Sequence, residues 1–139
     1  FDGVLHGGTF TGHPIALAAA EATLRILLET NALQEIADWG RALQGHLARV
    51  FTAAGIPHVF TGHPSMFGIL FRDKPLRSYR DWATSNHDLY DAMARTLHDH
   101  GLLPEPDSRE PWFVCHAHRE IDPAGIADTV AEVIATLAR

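Results

Sequence analysis

Two apolar runs of strand character, His58-Val59-Phe60-Thr61 and Met66-Phe67-Gly68-Ile69-Leu70-Phe71, are separated by Gly62-His63-Pro64-Ser65 alone. So short a link, built from turn-forming residues, favours antiparallel pairing over a crossover. Helical patterns lie on both sides of this hairpin. The combination predicts an α+β fold, a small mainly antiparallel sheet with helices covering one face.

Pro14 suits the first turn of a helix, where its missing N–H costs nothing. From Ile15 to Glu29 the chain holds strong helix formers, with Ile15, Leu17, Ala18, Leu24, Leu27 and Leu28 as the apolar set. A second helix is expected over Ala32–Ala54, where Leu33, Ile36, Ala37, Leu43, Leu47 and Val50 recur at helical spacing and Gly55-Ile56-Pro57 provides the stop. After the hairpin, Arg72–Arg80 is polar, holds Pro75, and reads as a loop. Asn86–His100 reads as a helix with Leu89, Tyr90, Met93 and Leu97 inward and Gly101 as its stop. Leu102-Leu103 reads as a short strand before the loop Pro104–Pro111, and Trp112-Phe113-Val114-Cys115 as another strand. Asp122 caps a last helix that opens on Pro123 and runs to Leu137.

A chain of 139 residues fits one domain and buries roughly 68% of its unfolded surface. Its 17 acids against 11 bases give a formal charge of -6, which argues against a sequence-independent grip on nucleic acid. No apolar run approaches the ~20 residues of a membrane-spanning helix, and no signal segment opens the chain. The single Cys115 has no internal disulfide partner, so a cytoplasmic location is expected. The chain begins at Phe1 rather than methionine, and Lys74 is its one lysine.

The stretch HGGTFTGHPIALAAAEATL, residues 6–24, packs glycines and threonines into a short loop before the first helix. Glycines let backbone N–H groups approach a ligand, and the following helix N-terminus favours an anion. Thr9 and Thr11 add hydroxyl donors. The loop lacks both the Gly-Lys-Ser/Thr ending of a nucleotide-binding loop and the spaced glycines of a dinucleotide fingerprint. By spacing alone, a phosphate cradle and a plain helix entry both remain open.

The ten histidines invite a metal reading. His98 and His100 point to different helix faces, while His116 and His118, which could share a strand face, lack a third ligand at useful spacing. No native metal is expected. Cys115 reads as a small core residue of its strand, with His116 on the opposite side of the sheet. Trp39, Trp82 and Trp112 read as core, and Arg77, Arg80 and Arg109 as loop charges.

Taken together, three blocks in order resemble the C-terminal part of the class III, pyridoxal-phosphate-dependent aminotransferases. They are HGGTFTGHPIALAAAEATL, GHPSMFGILFRDKPLRSYRD and WFVCHAHREID. The first is similar to the family's Gly-Thr-x-x-Gly-Asn-Pro block, with His13 standing where the family has asparagine. The second is similar to a Ser-Met-Phe strand of the glutamate-1-semialdehyde 2,1-aminomutase branch.

The resemblance implies the small C-terminal domain of a fold-type-I enzyme preceded by a long interdomain helix. Residues 1–30 would form the cofactor-phosphate loop and linking helix, and 31–139 the small domain. It further implies pyridoxal 5'-phosphate as cofactor, with Gly8 and Thr9 contacting its phosphate across a homodimer interface. Glu110 falls where aminomutase-like enzymes place a pocket glutamate, although Arg109-Glu110-Pro111-Trp112 departs from the family pattern around it.

The family's Schiff-base lysine and its pyridinium-pairing aspartate lie upstream of the Gly-Thr loop, and Lys74 sits in a polar turn unsuited to that role. The expected partners are the protein's own N-terminal large domain, a second subunit, and a small amino-acid or amino-ketone substrate. On this reading the chain is a fragment, inactive alone. The rival reading is a non-catalytic dimerisation or interaction module. A metal-binding protein is a third.

Overall fold

Proline, glycine and side-chain caps set where most of the helices begin and end. A computed structural model describes Gly3 and residues 7–137, so His6 of the opening motif lies outside the described residues. The chain divides into two compact units, residues 1–33 and 34–139.

In the first unit, Pro14 opens helix α1 (Pro14–Glu29), which has no buried residue. Helix α2 (Ala32–Ala53) follows, and from Gln34 onward it belongs to the second unit. Gly55 ends it in a left-handed conformation (φ 69°) that a side chain would resist.

The hairpin forms as its short link demands. Strands β1 (Val59–His63) and β2 (Met66–Leu70) pair antiparallel, and only Pro64 and Ser65 form the turn. Strand β3 (Trp112–Phe113) pairs antiparallel with the other edge of β2, giving the order β1-β2-β3. One face of β2 presents Phe67 and Ile69 to the core. There they meet Leu43, Leu47 and Phe51 of α2, Tyr90, Met93, Ala94 and Leu97 of α4 (His87–Asp99), and Val130, Val133 and Ile134 of α5 (Pro123–Leu137). Gly40 lets α2 reach the hairpin, since a Cβ there would lie 2.1 Å from the Pro64 carbonyl oxygen.

Four readings of the sequence are corrected. The stretch expected to be loop to Arg80 gives way to a short helix, α3 (Tyr79–Trp82). Ser78 caps it by accepting the Asp81 N–H, while Asp81 accepts the Ser78 N–H at 2.8 Å. That reciprocal box opens the helix despite the polar sequence. Leu102-Leu103 forms no strand, and Leu103 is 86% exposed, with no strand neighbour to pair with. The last strand ends at Phe113, although the Val114 N–H still donates to the Ser65 carbonyl at 2.9 Å. Cys115 is therefore not a core strand residue. It is exposed and leads into a 3-10 helix, His116–Glu120, which carries His116 and His118 off the sheet. Of the tryptophans, Trp112 is buried, but Trp39 and Trp82 are only half-buried; Trp39 donates its indole N–H to the Ile121 carbonyl and Trp82 to the buried Ser108 hydroxyl.

Candidate functional site

The glycine-rich loop is shaped by two residues that need glycine. Gly8 takes φ 146° and Gly12 φ 81°, both outside the range of ordinary side chains. A Cβ on Gly8 would also press to 3.0 Å of the Thr11 hydroxyl oxygen. Between them the chain turns back through Thr11 N–H to Gly8 carbonyl (3.0 Å) and His13 N–H to Phe10 carbonyl (3.1 Å). His13 caps α1 with extended backbone and makes no side-chain cap bond. The ladder of α1 starts with Leu17 N–H to His13 carbonyl, which leaves the Ile15 and Ala16 N–H groups ahead of it.

Gly8 and Thr9 thus sit on an exposed turn just before an uncapped helix N-terminus. Helix dipole, free amides and threonine hydroxyls together suit a dianionic phosphate. The donor set and the glycine geometry fit the phosphate of the expected cofactor. Nothing in this loop supplies a lysine.

Glu110 lies in the second unit, apart in sequence from the loop. It is exposed on the segment leading into β3, with its N–H donating to the Asp107 carbonyl at 3.3 Å. The side of the sheet turned away from Phe67 and Ile69, with Thr61, Met66 and Gly68, floors a groove of about 460 Å³. Tyr79 and Trp82 of α3, stacked at 5.1 Å and 25°, form one wall, and Ser108, Arg109 and Glu110 the other.

Arg109 is not a free cation in that wall. Its guanidinium grips Asp107 through contacts of 2.6, 3.0 and 3.1 Å, and its own N–H adds a fourth at 2.7 Å. The Arg109 side chain, then its backbone N–H, hold the Asp107 carboxyl down to about 2. Glu110 is left as the wall's unneutralised carboxylate, which suits an ammonium rather than a carboxylate group. The sequence pattern missed the α3 wall entirely. The Ser-x-x-Asp signature at Ser78–Asp81 is the signal that could have found it.

The other chemistry-bearing residues are engaged elsewhere. His98 and His100 bond the Pro104 and Thr96 carbonyls at 3.2 and 2.9 Å. His116 meets Glu35 at 2.7 Å, and the His118 ring lies beside Trp39 and 3.2 Å from the Cys115 sulfur. Among the described residues, no three His, Cys, Asp or Glu side chains stand together as a metal site. Lys74 is exposed in the bend after β2, with no apolar wall to desolvate it.

No protein-family model matches the chain. Curated relatives do. Glutamate-1-semialdehyde 2,1-aminomutase from Thermus thermophilus is 32% identical over 120 residues, covering 86% of this chain and 28% of the relative. The enzyme of the same name from Aquifex aeolicus is 31% identical over 134 residues, covering 94% of this chain and 32% of that one. Over most of its own length the chain is therefore similar to glutamate-1-semialdehyde 2,1-aminomutases.

It spans about three tenths of the length of these relatives and has the fold of the matching part of solved transaminases. An omega-transaminase from Sphaerobacter thermophilus superimposes with TM-score 0.81 at 24% identity, over 97% of this chain and 32% of that one. The FumI protein of Sphingopyxis sp. MTA144, in a PLP-bound form, superimposes with TM-score 0.75 at 24% identity, over 99% of this chain and 30% of that one.

Proposed function

We propose that this chain is the C-terminal part of a pyridoxal-phosphate-dependent aminotransferase or aminomutase. In this reading residues 1–30 are the cofactor-phosphate loop and linking helix, and 31–139 the small domain. The observation that carries the proposal is the loop. Its left-handed glycines, threonine hydroxyl and uncapped helix end form a phosphate cradle, in a chain about 30% identical to aminomutases.

Gly8 would donate backbone amide geometry, and Thr9 its N–H and hydroxyl, to the phosphate of pyridoxal 5'-phosphate. Bound in the intact protein, that cofactor supplies the electron sink for moving an amino group. Glu110 would meet the ammonium end of a small amino-acid or amino-ketone substrate. The large N-terminal domain and a second subunit of a cytoplasmic homodimer would complete the site, with the reactive lysine outside this chain. Because Lys74 lies in a solvated bend, the isolated chain is expected to be inactive.

The test uses the chain joined to its upstream sequence. Thr9→Ala should weaken cofactor binding about tenfold or more, as expected when a hydrogen bond to a charged group is lost, read by cofactor absorbance on titration. Unchanged affinity would remove Thr9 from the site. Absence of any cofactor binding by the joined protein would favour the rival, a non-catalytic dimerisation module.

A further inference from the structure

The segment that carries Glu110 is irregular, yet it is fastened along one helix. Three side chains of α4 reach it in turn. The His98 ring meets the Pro104 carbonyl at 3.2 Å, Tyr90 donates its hydroxyl to the Glu105 carbonyl at 3.1 Å, and the His87 Nδ1 lies 3.1 Å from the Ser108 hydroxyl. Ser108 is the buried end of this row, 7% exposed, and the polar residue most deeply buried in the described chain. It is also where α3 joins, since the Trp82 indole N–H donates to the same oxygen at 3.2 Å and the Trp82 and His87 rings pack 4.2 Å apart.

The hydrogen-bond chemistry of this knot has a direction. The indole of Trp82 can only donate, so it occupies a lone pair of the Ser108 oxygen. The Ser108 hydroxyl keeps one proton and a second lone pair, either of which meets His87 Nδ1 according to the ring tautomer, while Nε2 of the same ring is buried without a protein partner. A single hydroxyl therefore links α3, the first turn of α4 and the Glu110 segment. Arg109, the one residue between Ser108 and Glu110, stiffens this turn by its grip on Asp107.

We infer that Ser108 is a positioning residue: held between Trp82 and His87, it fixes the segment that presents Glu110 to the groove. The inference rests on the reading of Glu110 as the substrate-ammonium contact. Ser108 stands in the groove wall beside Glu110, but its hydroxyl is taken up by Trp82 and His87. It acts by keeping the Glu110 backbone in one place, so its loss costs substrate affinity while leaving cofactor affinity and the core untouched. Threonine, which keeps the hydroxyl, preserves the link; alanine removes it and leaves both Trp82 and His87 without their shared partner.

The experiment has two arms. In this chain, hydrogen exchange of the backbone amides over residues 105–110 is compared for wild type, Ser108→Ala and Ser108→Thr. Loss of one buried hydrogen-bonded link should speed exchange there about fivefold or more in the alanine variant, with the core helices unchanged and the threonine variant near wild type. In the chain joined to its upstream sequence, Ser108→Ala should raise KM for the amino substrate by a similar factor, leave cofactor affinity unchanged, and be rescued by Ser108→Thr. Unchanged exchange over 105–110, or exchange raised throughout the domain, would overturn the positioning role. Glu110→Gln tests the underlying reading separately. If it leaves KM unchanged while exchange responds as expected, Ser108 fastens the segment but Glu110 is not the substrate contact, and the inference fails at that point.

Discussion

Helices α1 and α5 are nearly the same length, open on a proline and are rich in alanine and branched apolar residues, but they end in opposite surroundings. Helix α5 buries Ala127, Val130, Val133 and Ile134 against α2, α4 and the sheet. Helix α1 buries nothing, and Ile15, Leu24, Ile26 and Leu28 are 59–84% exposed. The contrast teaches that an apolar helix is not evidence of a core by itself. The core is made where several elements converge. A helix that exposes leucines on several sides marks a surface made for something else to cover.

The sharpest way to break this comparison is to put the same charge into each helix. Val130→Asp buries a carboxylate in the centre of the packed unit and should cost more than ~4 kcal/mol, enough to abolish the cooperative thermal transition. Leu24→Asp should leave that transition within about 0.5 kcal/mol of wild type, as for exposed positions generally. The bare chain should self-associate through the α1 face, and Leu24→Asp with Leu28→Asp should shift sedimentation toward monomer. A large destabilisation by Leu24→Asp would show that α1 is as much a core helix as α5.

The two helix entries give a smaller contrast. Asp122 caps α5 by accepting the Ala124 N–H at 2.9 Å, whereas His13 offers α1 no side-chain bond. Asp122→Ala should therefore cost ~1 kcal/mol in a urea titration, and His13→Ala should change neither the midpoint nor the helical circular dichroism. An equal loss from both would mean that His13 is a cap after all. The uncapped end is also the one proposed to meet a phosphate, which is consistent with amides kept free for a ligand rather than satisfied internally.

The contrast also explains what the sequence could disclose. Helix limits were legible because Pro14, Gly55, Asn86 and Asp122 act within one or two residues of where they stand. The hairpin was legible because its link leaves no other pairing. The turn before α1 was legible for the same local reason, since its glycines are written in one stretch. Helix α3 was missed because a four-residue helix has no apolar period to detect, only its capping pair. Cys115 was misplaced because an apolar run does not show where its partner strand ends. The groove at Glu110 and the knot at Ser108 were invisible for a different reason. They gather residues 61–68, 78–87 and 107–111, whose meeting depends on how the sheet, α3 and α4 pack.

The smallest effect separates two ion pairs. On α1, Arg25 meets Glu21 at 2.6 Å with both side chains more than 60% exposed, a surface pair of little expected worth. In the packed unit, Arg109 holds Asp107 by its fork and by its backbone N–H, and the carboxyl is lowered to about 2. A carboxyl lowered in the folded state contributes stability above its ordinary value near 3.8, and that contribution is lost as pH falls through about 2. Since the pair is about a third or more exposed, solvent screening keeps the contribution below about 1 kcal/mol. Wild type should therefore exceed Asp107→Asn in denaturation midpoint at pH 5, with the gap closing between about pH 4 and pH 2. Glu21→Gln should show no gap at either pH. A gap for Asp107→Asn that persists below pH 2 would mean that the asparagine disturbs the loop itself, and that the carboxylate charge is not what holds Arg109 in place.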